Sequence, residues 1–397
     1  MIADLHIHSR FSRACSKDLN FENLVKWAKI KGLHLLGTGD FSHPIWIKEI
    51  KEKLVEKNGL YYYQGFPFVI TGEISLIYTQ ERGRKVHLVL LIPSVEIAEK
   101  INSYLDTKGR RDYDGRPIFK ISCEQFTKDM MKISKDIEVI PAHIWTPYFG
   151  VFGSMSGFDS LREAFGDQVE NVHAIETGIS SDPKMNWKIK ELGNRSIVSF
   201  SDAHSFWPFR LGREATIFHK LDSYFELIRQ IRENDFIATI ETDPAYGKYH
   251  YDGHRLCEFS CSPEKTEQIG GKCPECGKAL TIGVDNRVEF LADNEEKPSR
   301  AKQYYTLLPL HEIIALTYGM GMQSKKIWSI YNELIDFFDN EFEILLNVSK
   351  EKFLEKGLDD KLIELILLNR KGKIKVKPGY DGVYGQALLE EKQSTLF

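Results

Sequence analysis

The chain has no run approaching the roughly 20 apolar residues that span a bilayer. Its opening stretch, Met1 to His8, lacks the unbroken apolar core of a signal peptide, because histidines interrupt it at once. Positive charge is not in excess: 53 Lys and Arg stand against 57 Asp and Glu, a net of −4. That excludes a generally polybasic nucleic-acid coat and leaves room for a local basic groove. Cysteine is scarce at 6 residues and histidine modest at 12, so the position of each one matters. Repeats and low-complexity segments are also missing from the 397 residues, of which 42% are hydrophobic, enough for a substantial core. These features predict a soluble intracellular protein in a reducing compartment, where clustered cysteines read as metal ligands.

What is present is alternation. Short apolar runs predict strands at Ile2–Leu5, Leu33–Gly37, Phe68–Ile77, Lys85–Leu91, Glu138–Ile140, His173–Ile175 and Ser196–Phe200, with an eighth near Glu214–Phe218. Helices are expected at Phe21–Lys31, Pro44–Asn58, Val95–Leu105, Glu124–Ser134, Asp159–Phe165 and Trp187–Leu192. Repeated β-then-α units predict an α/β fold with a parallel sheet closed into a barrel, over residues 1–240. Residues 241–300 read as a small metal-stapled module, 301–385 as a helical region and 386–397 as a tail.

Ligand-type side chains gather at the predicted strand exits. His6-Ile7-His8 follows the first strand and Gly39-Asp40 the second, with His43 a neighbour; Glu73 lies on the third, His87 on the fourth, His143 ends the fifth, and Asp202-Ala203-His204 ends the seventh. In a βα barrel such exits converge on one face. Residues two apart on a strand point the same way, so His6 with His8, and Asp202 with His204, can each grip an ion. Imidazoles and carboxylates without thiolates suit Zn²⁺, Mn²⁺ or Fe²⁺. The set His6, His8, Asp40, Glu73, His87, His143, Asp202 and His204 is too large for one ion. At about four to six ligands per metal it fits two or three, with Glu73 as the expected bridge. Glu73, Asp202 and His204 are the expected catalytic groups; Arg10 and Arg13 are candidates to hold a phosphate, or else ordinary surface cations.

This order of motifs resembles the polymerase-and-histidinol-phosphatase (PHP) family. The resemblance implies a distorted seven-stranded (β/α) barrel that hydrolyses phosphoesters with two or three divalent ions, Zn, Mn or Mg. The chain departs from the family at Arg13-Ala14-Cys15, where many members place a further His or Asp, so a third ion has an incomplete site unless Cys15 stands in.

Cys257-x3-Cys261 and Cys273-x2-Cys276 form two knuckles that predict one structural Zn²⁺, with His254 a possible substitute ligand. Leu310–Phe338 reads as two helices joined through Tyr318-Gly319-Met320-Gly321-Met322, either a plain hairpin or a helix–hairpin–helix offering amides to DNA phosphates, with Lys325 and Lys326 just beyond. Arg370–Lys377 is basic, and its alternation around Ile374 and Val376 can align the charges on one side. The closing residues carry Gln393, Leu396 and Phe397 in the spacing of peptides that dock on sliding clamps.

Taken together, barrel, cysteine module, helical region and tail resemble the endonuclease Q family over essentially the whole chain. His6–Arg13, Pro141–Pro147 and Gly379–Gly385 carry the likeness. It implies a monomeric, cytoplasmic, nucleoid-associated DNA-repair enzyme, without a membrane partner, that cuts on the 5′ side of a deaminated or abasic nucleotide. Its lesion would be flipped from the stack, since deamination alters the pairing edge. The loops after the fifth and sixth strands then supply Trp145, Tyr148, Phe149, Glu176, Ser180 and Ser181 as candidate pocket residues, and Lys108, Arg110, Arg111 and Arg116, which precede the fifth strand, are candidate backbone contacts. The alternatives are a small-molecule phosphoesterase, such as a histidinol-phosphate or nucleotide phosphatase, and a non-enzymatic repair scaffold.

Overall fold

The computed structural model describes residues 1–389, so Gln393, Leu396 and Phe397 lie outside the described residues. Seven strands form a distorted ring: β1 (Ile2–Asp4), β2 (Leu35–Gly37), β3 (Phe66–Gln80), β4 (Arg82–Ile92), β5 (Glu138–Pro141), β6 (Ala174–Glu176) and β7 (Ser196–Val198). β1, β2 and β3 pair in parallel, as do β6 and β7. Two joints are looser. Ile144 N–H donates to the Glu176 carbonyl at 3.0 Å between β5 and β6, and His8 N–H donates to the Ala203 carbonyl at 3.0 Å between β7 and β1. One apolar cluster takes Ala3, Leu35, Val69, Val89, Ile140, Ala174 and Val198, one from each strand, and Tyr224, Leu227 and Phe236 join it. The ring is thus a packed core rather than a pore.

The expected all-parallel sheet is corrected. β3 and β4 form a long hairpin turning at Glu81, whose φ is 59°, and β4 pairs antiparallel with β5 as well. No helix separates β3 from β4, and a chain without a crossover returns antiparallel. The eighth expected strand, β8 (Ala215–Ile217), lies outside the ring, antiparallel to β1. β9 (Ala238–Glu241) and β10 (Gln303–Thr306) extend the sheet beyond it.

Helix α1 (Phe21–Lys31) begins where the Asn20 side chain accepts from Asn23 N–H and ends at Gly32, φ 92°. Helix α2 (Pro44–Lys53) stops short of the expected Asn58. Asn58-Gly59, with φ of 57° and 76°, instead turns a hairpin between Val55–Lys57 and Leu60–Tyr63. An Asn-Gly pair is the strongest short hairpin signal, and it overrides the helical reading. The helix expected at Trp187–Leu192 also moves: Asp182 accepts from Met185 N–H and Pro183 opens a short helix at Pro183–Asn186, leaving one 3₁₀ turn at Lys190–Leu192.

The C-terminal helices include α3 (Leu310–Tyr318) and α4 (Lys325–Phe338), linked through Gly319 at φ 61°. Beyond them Lys375–Lys377 pairs antiparallel with Gln386–Leu388. This half is tied to the barrel by β10 and by a buried ion pair: Lys31 Nζ donates to Glu341 Oε1 at 2.6 Å, and Glu341 also accepts from Tyr331 Oη at 2.9 Å. Among the described residues no helix is long and apolar enough to cross a membrane.

Candidate metal centre

The strand exits bring most of the predicted ligands together. His6 and His8 continue β1, Glu73 lies on β3 and His87 on β4. Asp40, His143 and Asp202 follow β2, β5 and β7, and each holds a positive φ, 48°, 31° and 49°. That backbone is costly for a residue with a Cβ, and such strain gathers where function fixes a side chain.

Glu73 stands at the centre, buried. Its Oε2 lies 3.3 Å from His8 Nε2 and 3.6 Å from His6 Nε2, while Oε1 lies 2.7 Å from His87 Nδ1 and 3.2 Å from His143 Nε2. Asp202 Oδ1 adds distances of 2.9 Å to His8 Nε2 and 3.5 Å to His6 Nε2. Ligand atoms therefore converge as two groups, His6–His8–Glu73–Asp202 and Glu73–His87–His143, which share Glu73. The fit to cations rests on the donors themselves. Among the described residues His6 Nε2 is buried without a hydrogen-bond partner, although it faces two carboxylates. Burial pulls the His6 and His8 imidazoles down, but the surrounding carboxylates outweigh it and hold both well above the ordinary value. Glu73 is likewise lowered against its burial, by His87, Arg116 and His6. Burial dominates at His87, pushed down to about 4 despite Glu73. An acidic field that draws protons onto buried imidazoles is also one that attracts divalent ions, which deprotonated imidazoles then ligate.

Two expected roles change. Asp40 lies outside both groups: it accepts from His8 Nδ1 at 3.0 Å, from Ser9 N–H at 2.7 Å, and from Ser12 Oγ at 2.9 Å. Glu176, expected in a base pocket, is buried and takes His6 Nδ1 at 2.8 Å and His143 N–H at 2.7 Å. Asp40 thus orients the His8 ring and Glu176 the His6 ring, leaving each Nε2 towards the centre. Ser9, Ser12 and Thr146, whose Oγ1 lies 2.9 Å from His143 Nδ1, complete this support. Sequence reasoning missed all three, since a serine or threonine beside a ligand carries no distinctive signal. His204 lies at the rim, partly exposed, its Nδ1 donating to the Asp202 carbonyl at 2.8 Å. Cys15 is outside both groups, its thiol pushed up to about 12 by burial.

Neither arginine flanking Phe11 reaches the centre. Arg10 pairs with Glu49 and lies over the Phe11 and Trp46 rings. Arg13 is 77% exposed and pairs with Asp114 at 3.3 Å. Arg116 does reach it, with Nη1 at 3.1 Å from Glu73 Oε2. Among pocket candidates, Trp145 is fully buried, donating to Asn186 Oδ1 at 2.8 Å, and Ser181 is buried on the Thr177 carbonyl at 3.0 Å. A side chain packed into the core offers no face to a base, so these two expectations are corrected. Ser180 is buried with its hydroxyl unpartnered among the described residues; Phe149 is partly exposed and stacks on His87 at 4.1 Å; Tyr148 is 43% exposed.

The expected four-cysteine set is corrected too. His254, Cys257, Cys273 and Cys276 bring their donor atoms together, whereas Cys261 Sγ lies 3.2 Å from Thr266 Oγ1. The cause is strand register: Asp252–His254 pairs antiparallel with Phe259–Cys261, placing Cys261 opposite Asp252 and His254 at the turn that holds Cys257. Three thiolates and one imidazole suit a closed structural zinc site.

Fold and donors define a barrel protein with a buried imidazole–carboxylate centre and a separate cysteine–histidine module. Residues 309–373 match the family described as the MJ0043 C-terminal domain. The MJ0043 protein of Methanocaldococcus jannaschii is 33% identical over 288 residues, 70% of this chain, and the chain spans only 34% of that protein's length. The YqxK protein of Bacillus subtilis is 26% identical, with 97% of this chain and 98% of that protein aligned. The crystal structure of the lesion-specific endonuclease PfuEndoQ from Pyrococcus furiosus superposes with a TM-score of 0.89 at 30% identity, covering 100% of this chain and 97% of that one. A structure of endonuclease Q with a 27-mer duplex substrate, an abasic lesion at its active site, gives 0.88 at 31% identity, covering 99% and 98%. The chain belongs to the endonuclease Q family.

Proposed function

We propose that this protein is a metal-dependent DNA-repair endonuclease that hydrolyses the phosphodiester on the 5′ side of a deaminated or abasic nucleotide, leaving a 3′-hydroxyl and a 5′-phosphate. One observation carries the reading: Glu73 offers its two oxygens to two converging donor groups, in a chain aligned end to end with an endonuclease solved on an abasic duplex. His6, His8, Glu73 and Asp202 would hold one divalent ion, Zn, Mn or Mg, and Glu73, His87 and His143 another. A third would need Asp40 or His204 to turn inward. When bound, such ions supply Lewis-acid polarisation of phosphoryl oxygens and water of lowered pKa. Glu176 and Asp40 keep the His6 and His8 rings in place throughout. The Asp202 carbonyl fixes the Nδ1–H tautomer of His204, which leaves Nε2 free at the rim to ligate or to take a proton. Tyr148 and Phe149 border the mouth, where a base out of the stack finds aromatic faces. Residues 1–240 then form the catalytic unit, and the module at 241–300, with its single Zn, and the helices at 301–385 engage DNA.

We further propose that the protein works as a cytoplasmic, nucleoid-associated monomer and that the Gln393–Leu396–Phe397 peptide docks on a sliding clamp. The test of the nuclease reading is direct. The protein is incubated with Mn²⁺, Mg²⁺ or Zn²⁺ and duplexes carrying one abasic site, uracil, hypoxanthine or no lesion. Nicking confined to the lesion strand, 5′ of the lesion, is the expected result. Phosphate release from small monoesters without any nick overturns it in favour of a phosphatase, and neither activity in favour of a scaffold.

A further inference from the structure

We infer that Arg116 is the residue that grips the scissile phosphate, and that the Asp114–Gly115 turn exists to deliver it; this rests on the nuclease reading above. Arg116 lies in the loop that joins the helix Val95–Asp106 to the short strand Ile118–Phe119, far from the barrel motifs in sequence. Its Nη1 contacts Glu73 Oε2 at 3.1 Å, at the oxygen shared with His6 and His8. Nε and Nη2 make no hydrogen bond among the described residues, and the side chain is 25% exposed. One edge of the guanidinium is therefore engaged by the central carboxylate while the other stays free at the mouth. A planar fork so placed can bind a phosphate by two parallel N–H donors without leaving Glu73.

The approach is built rather than incidental. A Cβ on Gly115 would come within 2.2 Å of Asp40 Oδ2 and 2.3 Å of Ser12 Oγ, so only glycine lets this loop press onto the carboxylate that orients His8. Gly115 N–H donates to the Phe11 carbonyl at 3.0 Å, and its own carbonyl accepts from Ser42 Oγ at 3.1 Å. Asp114, buried, accepts from Arg116 N–H at 3.1 Å and closes the turn. Arg111 Nη1 pins the same loop through the Ser42 carbonyl at 2.6 Å. By contrast Arg10 is committed to Glu49, and Arg13 to Asp114.

The experiment compares wild type, Arg116→Gln and Arg116→Lys, each loaded with Mn²⁺, on an abasic duplex under saturating substrate. Loss of a preorganised donor to the transition state predicts a kcat lower by about 10²–10³ for Arg116→Gln, with metal content unchanged and duplex affinity, measured in Ca²⁺, within about threefold. Arg116→Lys keeps the charge against Glu73 but lacks the fork, and its kcat falls as well. Replacing one non-bridging oxygen of the scissile phosphate by sulfur slows the wild type, and for one diastereomer that slowing shrinks in Arg116→Gln. If Arg116 merely neutralises Glu73, Arg116→Gln alters metal retention and melting temperature while kcat at saturating Mn²⁺ stays at the wild-type value; that result overturns the assignment. Should Arg116→Gln lose its metal, Arg116→Lys decides, a wild-type kcat overturning it. A wild type that nicks no lesion duplex refutes the nuclease reading instead.

Discussion

Glu214 lies fully buried where β8 begins, with Oε1 accepting from Thr242 N–H at 3.2 Å and Oε2 without a hydrogen-bond partner among the described residues. Burial pushes its pKa up to about 8, against the pull of the neighbouring Arg213. A carboxyl raised in the fold binds its proton more tightly there than in the unfolded chain. Its stabilising share is complete below the ordinary carboxyl range and is lost as pH rises through about 8. Glu214→Gln keeps the shape without titrating. Its melting temperature should match wild type below the ordinary carboxyl range, exceed it increasingly as pH rises to about 8, and keep a constant excess above that; a difference independent of pH contradicts this. Nothing in the residue pattern marks Glu214, since a carboxyl bound for the interior reads like any other. His6, His8, Glu73, His87, His143 and Asp202 were legible because each is a ligand type on a strand or just beyond its end. The division between ligand and brace was not. It depends on the positive φ at Asp40, His143 and Asp202, which no residue pattern announces, on Glu176 at the end of β6, and on Arg116 arriving from a distant loop.

At the scale of elements, periodicity found the ring strands and α1, while turn chemistry decided what it got wrong. Asn58-Gly59 converted the end of an expected helix into a hairpin, and the single residue Glu81 folded β3 back on β4. Register did the same in the cysteine module, where spacing alone made Cys261 a ligand and the Asp252–His254 ladder removed it. The consequence is measurable by zinc content of the full chain. His254→Ala should release most of the zinc under a mild chelator challenge, because a closed structural site loses one of four donors. Cys261→Ala should retain zinc near the wild-type level while losing its contact with Thr266 and its packing in the small cluster with Cys273 and Leu280. The reverse ranking restores a four-cysteine site.

At the scale of the whole molecule, a net charge of −4 has to be reconciled with a polyanionic substrate. The buried carboxylates Glu73, Asp40 and Glu176 count towards that total without facing solvent, while Glu214 and Glu241, whose pKa burial raises, enter the formal sum as groups the fold holds towards the neutral form. Basic residues do the opposite. In the stretch around Lys375–Lys377, Lys373, Lys375 and Lys377 are exposed while Ile374 and Val376 are partly covered, so the strand presents three ammonium groups along one side. Contacts of this kind bind phosphates without reading sequence, and each neutralised phosphate releases counterions. Replacing Lys373, Lys375 and Lys377 together by Gln should weaken binding to lesioned and undamaged duplexes by the same factor. The slope of log K against log salt should become shallower by up to about 0.9 per lysine that contacts a phosphate. Nick position and lesion preference should not move if the lesion is read at the barrel mouth, as proposed above. An unchanged salt slope would remove this strand from the DNA path, and a change of lesion preference would mean that the two ends of the molecule read the substrate jointly.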